Sequence, residues 1–216
     1  MQRFEKRVTR RYRAARLLAI CGLIAATGCS RSGVESAAAT STPSSAVNER
    51  PIHLLDLDGR PFDLRQSSKG PVHVAVFVRS DCPISNRLAP VVRKLCQDFQ
   101  SQGVDFYLIY VDPHEKPDAI RAHLREYEYP CPGLRDPEHT FVAQTKATVT
   151  PEAVVFDGNW SIAYRGRIND QFEDFGKMRE MATKNDLQEA IAATLAGKPV
   201  EEPVTKAIGC YIDDLK

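Results

Sequence analysis

Apolar positions along this chain follow two rhythms, and each change of rhythm marks an element. Ile52-His53-Leu54-Leu55-Asp56-Leu57 and Pro61-Phe62-Asp63-Leu64 flank Asp58-Gly59, the signature of a hairpin turn. Residues 72–78 are almost continuously apolar and β-branched, as a central strand buried on both faces must be. Over 83–99 the period lengthens: Leu88, Val91, Val92, Leu95, Cys96 and Phe99 recur at helical spacing and form one apolar face. Gly103 ends that helix, and 104–111 is a second buried strand. A helix over about 116–127, opened by Pro117, precedes Tyr129-Pro130-Cys131-Pro132-Gly133, whose two prolines exclude regular structure. Residues 141–147 read as a short helix leading to Thr150-Pro151. Two strands, 153–156 and 161–164, pair around Asp157-Gly158-Asn159, and 185–195 is a last helix stopped by Gly197 and Pro199. Two parallel strands followed by an antiparallel pair predict an α/β fold: a mixed central sheet flanked by helices, with an N-terminal β-hairpin.

Composition adds an address. The 216 residues suit one domain with accessory segments, and 43% hydrophobic with 26% charged content is globular. The net charge of +1 hides an asymmetry, because Arg3, Lys6, Arg7, Arg10, Arg11, Arg13 and Arg16 crowd the first turns of the chain. Without residues 1–28 the chain is mildly acidic, which gives no electrostatic reason to bind nucleic acid. The basic stretch is followed by an apolar run over 17–26, too short to span a bilayer but right for a signal peptide. Ala26-Thr27-Gly28-Cys29 then resembles a bacterial lipobox, although Ala26 stands where Leu is usual. Ordinary signal cleavage and a retained membrane anchor are the alternatives. Thr9-Arg10-Arg11 hints at a twin-arginine signal, with Arg13 against it. The expected organisation is a lipoprotein-type signal peptide (1–28) and a flexible Ser/Ala/Thr-rich tether (29–50). A folded domain (51–200) and a C-terminal tail (201–216) carrying Cys210 follow. The expected location is the cell envelope, lipid-anchored to the membrane through Cys29.

Of six cysteines, Cys21 leaves with the leader and Cys29 is the lipidation candidate, so Cys82, Cys96, Cys131 and Cys210 remain for redox chemistry. Cys82 stands between a buried strand and an amphipathic helix. Ser80 or Asp81 is placed to cap that helix, and Pro83 suits its first turn. A thiol there faces the helix dipole and free N–H groups, both of which favour thiolate. Arg79 adds to that effect and Asp81 opposes it. Thr150-Pro151, directly before a strand, is a candidate cis bond.

Ser80-Asp81-Cys82-Pro83-Ile84-Ser85-Asn86 resembles the active-site turn of the redoxin (AhpC/TSA-like) branch of the thioredoxin superfamily. Leu134-Arg135-Asp136-Pro137, Thr150-Pro151-Glu152-Ala153-Val154-Val155-Phe156-Asp157 and Tyr164-Arg165-Gly166-Arg167-Ile168-Asn169-Asp170 resemble later parts of that family. The resemblance covers roughly 51–199 and implies a thioredoxin-like fold with Thr150 and a cis-Pro151 facing Cys82. It also implies an extended substrate strand held beside Pro151. Two departures stand out. The second cysteine of the usual C-x-x-C is Ser85, which leaves a hydroxyl to hydrogen-bond the thiolate. Arg79 stands where typical peroxiredoxins carry Thr or Ser.

Cys82, Ser85, Thr150 and Pro151 are therefore the candidate catalytic residues. A second thiol must resolve any mixed disulfide or sulfenic acid at Cys82. Cys210, on a tail after the last helix, is the first choice, with a passive tail cysteine the rival. Cys131, in its proline-bounded loop, is open to either reading, and Cys96 reads as core. External thiols are the remaining route. His114, His123 and His139 lack metal-ligand spacing, so no metal and no cofactor is expected, and Arg165 and Arg167 read as solvated. The leading expectation is an envelope thiol–disulfide oxidoreductase acting on protein or small-molecule thiols and disulfides. A peroxiredoxin-like antioxidant and a non-catalytic thioredoxin-fold binding module are the alternatives, and the oligomeric state is open.

Overall fold

The computed structural model describes residues 52–212. The segments expected as signal peptide and tether, Cys29 among them, lie outside the described residues. Among those described, no helix is long and apolar enough to cross a membrane.

The N-terminal hairpin forms as its turn signal requires, with β1 (His53–Leu55) antiparallel to β2 (Pro61–Asp63) around a left-handed Gly59. A single turn, α1 (Leu64–Ser67), is capped by Asp63, whose carboxylate accepts from the Arg65 and Gln66 N–H groups. The two apolar runs are β3 (Val72–Val78) and β4 (Val104–Tyr110), parallel along their whole length. Between them runs α2 (Pro83–Gln100), and after β4 comes α3 (Pro117–Glu126). A strand absent from the sequence reading, β5 (Gly133–Arg135), then pairs parallel to β4 and antiparallel to β1. It begins where the proline-bounded loop ends, and at three residues it is too short to show a period.

The second half consists of α4 (Thr140–Thr145), β6 (Val149–Thr150), β7 (Glu152–Asp157), β8 (Ile162–Gly166), the small hairpin β9 (Phe172–Asp174) with β10 (Lys177–Met178), α5 (Asp186–Leu195) and β11 (Cys210–Tyr211). The central sheet has the order β2-β1-β5-β4-β3-β7-β8. It is mixed, as expected: β3, β4 and β5 are parallel, β7 runs against β3, and β8 runs against β7.

The pleat divides the core in two. Val72, Val74, Val76 and Val78 point toward α2, α3 and α5, meeting Leu88, Val92, Leu95, Ile120, Leu187 and Ile191. Ala75 and Phe77 point the other way, toward Leu64, Phe141 and Val142 of α1 and α4. Helices thus cover both faces, and β3 is buried at every position. Its ends are fixed by this packing, so the turn that leaves it at Ser80 starts from a rigid base.

The segment set apart in the sequence as a tail packs onto the domain as far as residue 212. Thr205 exchanges hydrogen bonds with the Arg165 backbone, Tyr164 and Arg167. Ile212 is 1% exposed in the core on the α4 face. The physical reason is the close approach at Gly209, where a Cβ would stand 2.1 Å from the Thr150 oxygen. Only the residue without a side chain brings the strand this near.

Candidate active site

The chain leaves β3 at Val78 and enters α2 at Pro83, and Cys82 is the residue between turn and helix. The expected cap by Ser80 or Asp81 does not form. Cys82 itself occupies the N-cap position, with no side-chain capping bond. Ser80 is instead held by its carbonyl, which accepts from Asn86 Nδ2 at 2.8 Å. Asp81 accepts from Arg79 at 2.8 Å, so the two charges flanking the thiol are spent largely on each other.

Asn86 belongs to a chain of contacts that sequence reading missed. Asn86 Oδ1 lies 2.9 Å from His123 Nε2, and His123 Nδ1 lies 2.8 Å from the Tyr110 hydroxyl. An amide oxygen only accepts, so Nε2 carries the proton and Nδ1 accepts from Tyr110. Neutral His123 fits this, since burial lowers its pKa from 6.5 against the opposing pull of Glu126. The chain ties β4 and α3 to the Cys82 turn. One signal for it was present in the sequence, a histidine on the apolar face of a helix.

Across the turn, β6 presents a cis peptide bond between Thr150 and Pro151. Glu152 holds this edge in place: its carboxylate, 4% exposed, accepts from the Thr148 and Val149 N–H groups and sits 3.7 Å from Arg165 Nε. Arg165 and Arg167, expected to be solvated, are both engaged, Arg167 binding Asp186 through two nitrogens at 2.8 and 2.9 Å. Cys82 Sγ donates to the Thr150 carbonyl at 3.0 Å. Cys82, Ser85, Thr150 and Pro151 are thus brought to one place.

Cys210 joins them. In β11 it pairs opposite Thr150 in an antiparallel bridge, with Tyr211 opposite Val149. A third backbone bond runs from Ile212 N to Thr148 O. The C-terminal strand therefore lies along the edge beside Pro151. Cys82 is 0% exposed and belongs to the core cluster on the α2 face, with β11 lying along the β6 edge that its thiol contacts.

The electrostatics separate the two sulfurs. At Cys82 burial opposes ionisation, but hydrogen bonds from the Cys210 thiol, from the Ser85 hydroxyl and backbone, and from the Cys210 backbone outweigh it and lower the pKa. The Ser85 hydroxyl is buried without a geometric hydrogen-bond partner, one turn into the helix that Cys82 begins. Burial and the adjacent Cys82 push Cys210 up to about 12. Cys82 is therefore the more acidic of the two thiols, and Cys210 keeps its proton to higher pH.

The other cysteines are elsewhere. Cys131, expected in an open loop, is 6% exposed and packs beside Cys96 of α2. Tyr129 packs against the same core cluster that holds Cys96 and Cys131. Among the described residues no group of three or more His, Cys, Asp or Glu is placed to hold a metal ion.

Comparisons with known proteins agree with this geometry. The model of the AhpC/TSA family matches residues 46–170. An uncharacterized conserved protein from Geobacillus kaustophilus is similar at 25% identity, with 76% of this chain and 88% of that one covered and a TM-score of 0.67. A hypothetical protein from Sinorhizobium meliloti is similar at 26% identity, covering 76% and 90%, with a TM-score of 0.66. A thioredoxin family thiol:disulfide interchange protein from Chlorobium tepidum shares the fold at 16% identity, covering 68% and 97%, with a TM-score of 0.50. Nothing among curated proteins matches the chain.

Proposed function

The chain belongs to the AhpC/TSA family, in the redoxin branch of the thioredoxin superfamily, and from that premise we propose a thiol–disulfide oxidoreductase of the cell envelope. Cys82 is its nucleophile and Cys210 its resolving thiol. The observation that carries this reading is the β11–β6 pairing, which sets Cys210 opposite the residue whose carbonyl Cys82 contacts.

The Cys82 thiolate attacks a substrate disulfide, forming a mixed disulfide and releasing one substrate thiolate. Cys210 then attacks Cys82 Sγ and expels the second. Two electrons pass to the substrate, whose sulfurs leave as two thiols, and the protein retains a Cys82–Cys210 disulfide. An external dithiol restores the starting state, and the reverse sequence oxidises a dithiol. The order of events follows from the two acidities. Cys210 is a poor nucleophile while Cys82 is beside it as a thiolate. Mixed-disulfide formation removes that neighbour's charge and hydrogen bond, leaving burial and Asp81 to hold Cys210 up against Arg79.

Substrates on this reading are protein or small-molecule disulfides that reach Cys82 beside Pro151 when β11 moves off that edge. Export and lipidation at Cys29 belong to the same proposal, and Cys29→Ser is expected to release the protein from the membrane fraction. Peroxide reduction has less support, because Arg79 occupies the position of the activating hydroxyl and is bound to Asp81.

The experiment is a trap. With a small aromatic disulfide as substrate, Cys210→Ser is expected to accumulate a mixed disulfide on Cys82, while the parent protein turns over to an internal bridge. Equal behaviour of the two proteins rejects Cys210 as the resolving thiol.

A further inference from the structure

Two more thiols meet away from this site. Cys96 lies on the buried face of α2, 1% exposed, and Cys131 lies in the loop between α3 and β5. Backbone bonding brings them together: Leu108 N donates to Pro132 O, and Gly133 opens the β4–β5 pairing opposite Leu108. The loop is thereby pinned to the edge of β4, against the helix that carries Cys96. Cys96 and Cys131 belong to the same buried core cluster, and the neighbouring Cys96 thiol, together with burial, holds the Cys131 thiol well above its usual range. Both residues border one surface cleft of about 230 Å³, shared with Gln100, Phe106 and Pro132.

We propose that Cys96 and Cys131 form a second dithiol, which a small-molecule disulfide entering this cleft closes to an intramolecular disulfide that staples α2 to the α3–β5 loop. Closure requires the two sulfurs to come to the S–S bond length of about 2 Å. One protein thiolate attacks the external disulfide and displaces one thiolate. The other protein thiol, on losing its proton, attacks the mixed disulfide and displaces the second. Two protein thiols lose two electrons and two protons, and the small disulfide leaves as two thiols. A thiol whose ionisation is opposed reacts slowly at neutral pH, so closure accelerates as the solution becomes more alkaline.

This pair does not serve the Cys82 reaction. Cys96 lies well along α2, about 21 Å from Cys82 at 1.5 Å per residue. Exchange between the two pairs would need a carrier. The bridge acts on stability, closing a loop that contains β4 and α3. It stands independently of the function proposed above.

The test incubates the full-length protein with oxidised glutathione at mildly alkaline pH, quenches in acid, alkylates under denaturing conditions and maps peptides without reduction. The expected result is a Cys96–Cys131 cross-linked peptide, in the parent and equally in a Cys82→Ser/Cys210→Ser double variant. Oxidation of that double variant is expected to raise its melting temperature by about 10 °C, a rise lost when Cys131→Ser is added. Recovery of Cys96 and Cys131 fully alkylated, or linked only to Cys82 or Cys210, overturns the proposal. Because the double variant lacks the other pair, a failed resolving role for Cys210 leaves this map unchanged.

Discussion

A cysteine at the first turn of a helix has only half of what a stable thiolate needs. At Cys82 the rest comes from the Cys210 thiol and from Ser85, which together overcome the burial that opposes ionisation. The Ser85 hydroxyl was legible in the sequence, because residue three of the turn projects back over the helix start. The Cys210 contribution was legible only as a candidate, since nothing in Gly209-Cys210-Tyr211 fixes where a tail returns. Ser85→Ala is expected to slow alkylation of Cys82 at pH 6 by about tenfold, the equivalent of losing one hydrogen bond of roughly 1.5 kcal/mol to a charged group. Peptide-resolved labelling checks this, and an unchanged rate would show that the hydroxyl does not reach the sulfur. Arg79 and Asp81 illustrate the opposite case. Their signs were legible but their pairing was not, and once bound to each other they have little left for the thiol.

At the scale of elements, long periodic segments were readable and two- or three-residue strands were not. α2 shows its apolar face over five turns, and β3 its unbroken run, because each buries many side chains in register. β5, β6 and β11 exist through backbone bonds to neighbours distant in sequence, which no local pattern encodes. The Gly209 approach makes β11 testable. Gly209→Ala adds a Cβ that would meet the Thr150 carbonyl, so the strand is expected to detach. Cys82 should then be alkylated faster than in the parent, while oxidation to the Cys82–Cys210 bridge slows. Slower labelling of Cys82 would mean that the strand does not cover it. The His123 chain makes a second prediction. Its folded pKa is lowered, so the unfolded chain takes up the proton first and stability is lost as pH falls below about 6.5. Between pH 7 and 5.5 the melting temperature of His123→Gln should fall less than that of the parent. An equal fall would remove His123 from the account.

For the whole molecule, the mixed sheet, the helices on both faces and the hairpin order were all readable, because layers of this kind follow from alternation and element order. What the sequence could not supply was closure: residues 201–212 cross from the β8 edge to the core on the α4 face, and so couple the reactive end to overall stability. Ile212 is the anchor, and Ile212→Ala is expected to destabilise the domain by about 2–5 kcal/mol and to expose Cys82 at the same time. Denaturant unfolding with parallel thiol labelling checks both, and loss of stability without exposure would separate the anchor from the site. The central claim is that one sulfur of the pair ionises more readily than a free thiol while its neighbour keeps its proton. The most direct measurement is the alkylation rate of each cysteine in the reduced, folded protein as a function of pH, read peptide by peptide. The account predicts half-maximal reactivity of Cys82 below the roughly 8.5 of a free thiol, with Cys210 inert throughout the neutral range. Half-maximal reactivity of Cys82 at or above that value, or labelling of Cys210 first, would contradict it.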